Sequence, residues 1–206
     1  MRCSLRHERT LRKAGVEIIA GIDEAGRGPL AGPVVAAAVI LPEKFRHKVL
    51  TDSKKLTHEV REELYAELVS RPGVVWGLSV VEHDEIDRIN ILRATHQAMR
   101  RAVAALAVTP HHALIDGLPV HPFPVPQTAL VGGDAASFSI AAASVIAKVT
   151  RDRIMSDMDA CYPGYNFSQH KGYGTPEHLD RLRLNGPCPI HRRSFLPVRE
   201  AQLDLL

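Results

Sequence analysis

The 206-residue sequence predicts a mixed α/β domain, a central sheet with helices on both faces. Three observations predict it. Two apolar, β-branched runs, 16–22 and 33–41, follow one another with only a glycine-rich turn between them. Strand-like and helix-like segments alternate from there on. A long alanine-rich stretch, 135–158, has small side chains on all sides, as a helix buried against a sheet requires.

The elements follow in order. The second strand carries Val34-Val35-Ala36-Ala37-Ala38-Val39-Ile40. Leu56, Val60, Leu64 and Leu68 recur every fourth residue, which predicts an amphipathic helix starting near Thr57 and ending at Arg71-Pro72-Gly73. Residues 74–81, with Trp76, form a third strand. Residues 84–106 read as one long helix with Ile86, Ile89, Ala94, Met99 and Val103 on one face. A short buried strand, 113–115, ends at Asp116-Gly117. A proline-rich loop and another short strand, 128–131, lead into the alanine-rich helix. From Cys161 the texture changes to a Gly/Tyr/Pro-rich loop and a short helix with Thr175 as N-cap, Pro176 at its first position and Gly186 beyond its end. The expected division is a main body, 1–158, and a small C-terminal loop-and-helix part, 159–206.

Composition sets bounds. At 45% hydrophobic residues the chain can bury a sizeable core. Lys+Arg 26 against Asp+Glu 23 is compatible with a nucleic-acid partner without arguing for one. Arg2, Arg6, Arg9, Arg12 and Lys13 form a basic arm, and Arg192-Arg193 stand near the other end; on charge alone both are equally solvated termini. Cys3, Cys161 and Cys188 are odd in number and form no CxxC pair, so a reducing, cytoplasmic setting is expected, without disulfides or zinc. The longest apolar run, 34–41, falls far short of the roughly 20 residues that span a bilayer, and the N-terminus lacks the apolar run of a signal peptide. No membrane partner is expected, and a monomer is the default.

Four acids stand where strands end or a helix begins: Asp23, Glu24, Asp116 and Asp134. Ligands of α/β sheets bind beyond strand ends, so these positions can converge. Two carboxylates about 4 Å apart repel by roughly 4 kcal/mol at an effective dielectric of 20, so four need cations. Two Mg²⁺ or Mn²⁺ ions fit an all-oxygen donor set, whereas zinc favours His or Cys, and such a pair is the usual clamp for in-line phosphoryl displacement. Each acid also has a plainer reading. Asp116-Gly117 is a common turn dipeptide and Asp134 can be an N-cap. Asp23-Glu24, directly after an apolar strand, is costly unless exposed or paired. Gly26-Arg27-Gly28-Pro29-Leu30-Ala31 matches the GxGxxA dinucleotide fingerprint. It leads into a strand rather than a helix, however, so no helix N-terminus awaits a pyrophosphate, and no organic cofactor is expected.

Taken together, several blocks resemble ribonuclease HII. They are Gly21-Ile22-Asp23-Glu24-Ala25-Gly26-Arg27-Gly28-Pro29-Leu30-Ala31-Gly32-Pro33, Asp52-Ser53-Lys54-Lys55-Leu56, Ile115-Asp116-Gly117, Gly133-Asp134-Ala135, Ala142-Ala143-Ser144-Val145-Ile146-Ala147-Lys148-Val149-Thr150-Arg151-Asp152, His170-Lys171-Gly172-Tyr173-Gly174-Thr175 and His191-Arg192-Arg193-Ser194-Phe195. They occur in the family's order over 18–198. The resemblance implies a ribonuclease H-like fold with a small C-terminal helical part. It implies Asp23, Glu24, Asp116 and Asp134 as catalytic, metal-binding carboxylates. The implied substrates are RNA–DNA hybrids and duplex DNA carrying single ribonucleotides, cut on the 5′ side of the ribonucleotide to leave 3′-hydroxyl and 5′-phosphate ends.

Such an enzyme must sense the 2′-hydroxyl. Gly26 and Gly28 lack side chains and allow close backbone approach; in the family this loop reads the 2′-hydroxyl. Arg27 can hold a phosphate. The family's equivalent of Tyr173 packs on the deoxyribose after the ribonucleotide; a plain loop anchor is the alternative. Ser53, Lys54, Lys55 and Lys148 are candidate phosphate contacts or solvated surface groups, and Arg192 and Arg193 track the duplex backbone or cap the C-terminal part. The eleven histidines are scattered without ligand spacing, and His170 lies in a family block without an assigned role. The sequence departs from the resemblance at Gly132 and Ala136, where many members carry lysine. The rival reading from another class is a non-catalytic nucleic-acid-binding module on the same fold.

Overall fold

The centre of the protein is β1 (Ile19–Ala25), flanked by β2 (Val34–Ile40) and β4 (His112–Asp116). The structure, a computed structural model, describes residues 3–203; Arg2 of the basic arm lies outside them. With β3 (Val75–Val81) and β5 (Gln127–Leu130) the strands make one five-stranded sheet in the order β3-β2-β1-β4-β5. The pairs β1–β2 and β2–β3 are antiparallel, and β1–β4 and β4–β5 are parallel.

Side chains alternate across a strand, and β2 shows how that places helices on both faces. Val35, Ala37 and Val39 pack with Leu64 and Leu68 of α2 (His58–Ser70) and with Ala142 to Val149 of α5 (Phe138–Cys161). Val34, Ala36 and Ala38 pack on the other face with Ala94, Ala98, Met99 and Ala102 of α4 (Ile91–Ala104). The alanines are what let these helices come close. At Gly21 the approach is closer still, since a Cβ there would lie 2.1 Å from the Ser139 backbone.

Four sequence expectations need correction. β1 runs 19–25, not 16–22, so Asp23 and Glu24 lie within the strand, opposite Ala37 and Ala36. The basic arm is a helix, α1 (Arg6–Lys13), with Glu8 buried beneath it. The long helix expected over 84–106 is two: α3 (His83–Ile89) ends at Asn90, whose positive φ of 69° turns the chain and whose side chain caps α4 by accepting from the Arg93 N–H at 3.1 Å. α5 starts at Phe138, capped by Ser137, so Asp134 is no helix cap; it sits in a 3₁₀ turn, Gly133–Ala135.

α5 runs past residue 158 to Cys161, and α6 (Phe167–His170), α7 (Pro176–Asn185) and α8 (Leu196–Leu203) follow. This C-terminal part closes over the β1–β2 loop. Ala31 packs with Met155, Tyr165, Phe167 and Ile190, and Leu30 with Leu182 and Val198. Backbone bonds add to it: Leu30 N–H to Gly172 at 2.7 Å, Gly32 N–H to Ile190 at 2.9 Å and Arg192 N–H to Leu30 at 2.8 Å. Among the described residues no helix is long and apolar enough to cross a membrane.

Candidate active site

Parallel pairing brings the first two acids together. Ile22 stands opposite Ile115, so the next step along both strands reaches Asp23 and Asp116. Ile19 and Leu114 lie on the α5 face, packed on Ile140. Asp23 and Asp116, an even number of residues further on, project to that same face. The turn carrying Asp134 is tied in by the Gly133 N–H, which donates to Asp116 Oδ1 at 2.7 Å. One carboxylate oxygen from each of Asp23, Asp116 and Asp134 then lies within 4.8 Å of the other two. Glu24, adjacent on the strand, leaves from the opposite face. It is not part of this trio, and its carboxylate meets the Arg27 guanidinium at 3.5 Å.

Gathering acids in a poorly solvated place penalises their charge. Burial, then Glu24 and Asp116, hold the Asp23 carboxyl well above the usual range, opposed by the nearby Ser144 hydroxyl and by the Glu24 N–H that bonds to it. Burial and the charges of Asp116 and Asp52 push Asp134 up to about 6, with Lys54 opposing. Burial raises Glu24 as well, against the nearby Arg27. Lys54 shows the complementary effect: burial lowers its pKa, but Asp23, Asp134, Asp52 and Asp116 outweigh that and raise it. Oxygen-only donors and an excess of negative charge fit a hard divalent cation and do not fit zinc.

These shifts fix a pH dependence. An acid whose folded pKa is raised contributes stability that is complete below its unfolded value, near 3.8, and is lost as pH rises through about 6 for Asp134. In metal-free protein, Asp134→Asn is therefore expected to raise Tm relative to wild type by an amount that grows from pH 4 to pH 7. The histidines cannot mimic this trend. Burial lowers His178 to about 4 and His191 to about 3, so their contribution is lost in the other direction, as pH falls. Thermal melts of both proteins across this range provide the check, and a constant difference would contradict the assignment.

The expected substrate contacts divide into groups. Gly26 has φ +101°, and a Cβ there would lie 2.2 Å from Arg151 Nε, so no other residue fits the turn. A Cβ at Gly28 would lie 3.8 Å from the Tyr173 ring, and that ring is 40% exposed, with Lys148 Nζ 5.6 Å and Arg151 Cζ 5.7 Å from its centre. Gly26, Gly28 and Tyr173 thus share one surface with Lys148, whose amine also pairs with Asp152 at 2.8 Å. Arg27, Lys54, Lys55 and Arg193 are exposed. Ser53 is buried and shares its hydroxyl with Ser144 at 2.8 Å.

Arg192 departs from expectation most. It is fully buried, and its guanidinium donates to the carbonyls of Gly26 (2.6 Å), Arg27 (3.0 Å), Gly32 (2.9 Å) and Pro33 (3.1 Å). It braces the glycine loop with four of its five N–H donors and, with no exposed surface, is not placed to meet a phosphate. Arg151, equally buried, donates to Pro33, Ala31 and Lys171 carbonyls.

Three features escaped sequence reasoning: Ser144, whose hydroxyl favours the Asp23 carboxylate; Asp52, which caps the Ser53–Lys55 turn and acts on Asp134; and the histidine layer around the Tyr173 carbonyl. His178 Nδ1 lies 2.9 Å from the Tyr173 carbonyl and its Nε2 lies 3.0 Å from His191 Nε2. His170, whose role the sequence left open, contacts the Tyr165 carbonyl and accepts from the Gly172 N–H. Ser144 and Asp52 both sit in the blocks quoted above, which was their only signal.

Comparison with known proteins agrees with this geometry. A family model described as Ribonuclease HII matches residues 20–198. Ribonuclease HII of Geobacillus kaustophilus (strain HTA426) is 58% identical over 196 residues, 95% of this chain and 75% of that protein. Ribonuclease HII of Myxococcus xanthus (strain DK1622) is 55% identical over 201 residues, 98% of this chain and 69% of that protein. Among solved structures, ribonuclease H2 from Pyrococcus horikoshii OT3 superposes with a TM-score of 0.70 at 26% identity, covering 91% of this chain and 98% of that one. With its mixed sheet, its acidic cluster and a match over most of its length, the chain belongs to the ribonuclease HII family of ribonuclease H hydrolases.

Proposed function

We propose that this protein cuts the RNA strand of RNA–DNA hybrids and cuts duplex DNA on the 5′ side of single embedded ribonucleotides, leaving 3′-hydroxyl and 5′-phosphate ends. The observation that carries the reading is the meeting of Asp23, Asp116 and Asp134 oxygens within 4.8 Å, beside a surface where Gly28 faces the Tyr173 ring. Asp23, Glu24, Asp116 and Asp134 would hold two Mg²⁺ or Mn²⁺ ions, with Glu24 exchanging its contact with Arg27 for this role. Bound there, the ions supply a nucleophile at neutral pH and neutralise charge at the scissile phosphate. The protein supplies placement. The Glu24 N–H fixes Asp23 with the Ser144 hydroxyl nearby, Lys54 adds positive charge on the solvent side, and the Gly26–Gly28 backbone approaches the ribose 2′-hydroxyl. Tyr173 packs on the following deoxyribose. Lys55, Lys148, Arg27 and Arg193 offer charge to the phosphates.

The test is a duplex DNA with one ribonucleotide, incubated with Mg²⁺ or Mn²⁺, with and without chelator. Chelator-sensitive nicking at the ribonucleotide is expected; binding without nicking would favour the non-catalytic module. Tyr173→Ala should reduce cutting at single ribonucleotides by about tenfold, the scale of one lost stacking contact, and reduce cutting of long hybrids less. Equal losses on both substrates would remove Tyr173 from the junction.

A further inference from the structure

Asp134 sits on a turn that is soft by composition. Gly132 and Gly133 precede it, and Gly132 has φ +68°. Asp116 holds the turn on one side through the Gly133 N–H. The other side is held by the N-terminal segment. The Ser4 N–H donates to the Ala136 carbonyl and the Phe138 N–H to the Ser4 carbonyl, both at 3.1 Å. The Cys3 thiol lies 4.0 Å from the Asp134 carbonyl oxygen.

Glu8 locks this segment in place. It is 1% exposed, on a helix whose one apolar side chain is Leu11. Its Oε1 accepts from the Ser137 hydroxyl at 2.6 Å, the Ser139 hydroxyl at 2.7 Å and the Ser139 N–H at 3.0 Å. Ser137 Oγ in turn accepts from the Ile140 N–H, so Glu8 and Ser137 satisfy two of the free amides that begin α5, those of Ser139 and Ile140, and the Ser4 carbonyl takes a third, that of Phe138. A buried carboxyl group is costly unless its bonds are worth keeping, and Oε2 makes no hydrogen bond among the described residues.

We propose that Glu8 is a positioning residue for Asp134: through Ser137 and Ser139 it docks α1 on the start of α5 and fixes the turn that presents the Asp134 carboxylate. The effect on metal rests on the reading given under Proposed function; the effect on the turn does not. The experiment compares Glu8→Ala and Glu8→Gln with wild type by Mn²⁺ binding (free Mn²⁺ read by electron paramagnetic resonance), by kcat and KM on a single-ribonucleotide duplex, and by amide hydrogen exchange in metal-free protein. In Glu8→Ala, Mn²⁺ binding should weaken by about tenfold or more, the usual effect of losing an outer partner of a ligand. kcat should fall with KM unchanged, and exchange should quicken across 133–140. Glu8→Gln keeps an acceptor oxygen and should recover most of each quantity. Wild-type Mn²⁺ affinity and wild-type exchange over 133–140 in folded Glu8→Ala would overturn the proposal. If that variant does not fold, Ser139→Ala carries the test: severalfold weaker Mn²⁺ binding is expected, and unchanged binding overturns it. A wild-type protein that binds no Mn²⁺ would sink the metal reading, while the exchange measurement would still decide the role of Glu8.

Discussion

Asp23→Asn should lose at least about 10³ in cleavage rate, roughly 4 kcal/mol of transition-state stabilisation, while its affinity for the duplex stays near wild type. The side chain is buried, feels the charges of Glu24 and Asp116, and accepts from the Glu24 N–H. Amide for carboxylate keeps the shape and removes the charge that a cation needs. The same change has the opposite effect on stability. The folded pKa of Asp23 lies well above its ordinary 3.8. Its contribution is therefore complete at low pH, below the ordinary carboxylate value, and is lost as pH rises toward the folded value, so the cost carried by metal-free wild type grows with pH. Asp23→Asn should melt higher than wild type at pH 8 without metal, and Mg²⁺ should raise its Tm less. Single-turnover cleavage, gel-shift titration and thermal melts read the three quantities. Near-wild-type cutting would refute the role of Asp23.

Arg192→Ala should cost about 3–5 kcal/mol, the scale for removing one member of a buried, charge-assisted network, and lower Tm by roughly 10 °C for a chain of this size. The carbonyls of Gly26, Arg27 and Gly32 lose this donor outright, two of them in the glycine loop, while Pro33 keeps its bond from Arg151 Nε. Burial and the nearby Arg151 already hold the Arg192 pKa down to about 9, so the site strains to keep this charge and does so for its geometry. Arg192→Lys should recover little, because a single ammonium cannot reach all four oxygens. In the surviving folded protein, discrimination between ribo- and deoxyribonucleotide should weaken before Mn²⁺ affinity does. A Tm loss under about 2 °C would mean that the loop keeps its shape without the guanidinium.

The sheet was legible because its signals are local. Val/Ala runs, turn glycines and four-residue leucine spacing each point to one element, and the order of strands and helices follows. The errors share a cause: polar groups used inside the structure. Asp23 and Glu24 read as the end of a strand, yet small partners, Ala37 and Ala36, let β1 continue through them. α1 has no apolar stripe, because part of what it buries is a carboxyl group held by serines more than a hundred residues away. Two adjacent arginines read as surface charge, and nothing near Arg192 signals that its partners are carbonyls in the β1–β2 loop. Convergence of Asp23, Asp116 and Asp134 was readable from strand ends, whereas the turning of Glu24 toward Arg27 depends on the face from which it leaves.

The seam between residues 26–33 and 165–192 has a consequence for how the protein matures. The acids assemble from β1, β4 and the turn before α5, all of which precede residue 162. The β1–β2 glycine loop instead waits for Gly172, Ile190 and Arg192, contacts that close chain loops of well over a hundred residues and so form late. On the proposed reading, sugar selectivity would therefore depend on the contacts that close last, while the acidic cluster is built wholly from residues before 162.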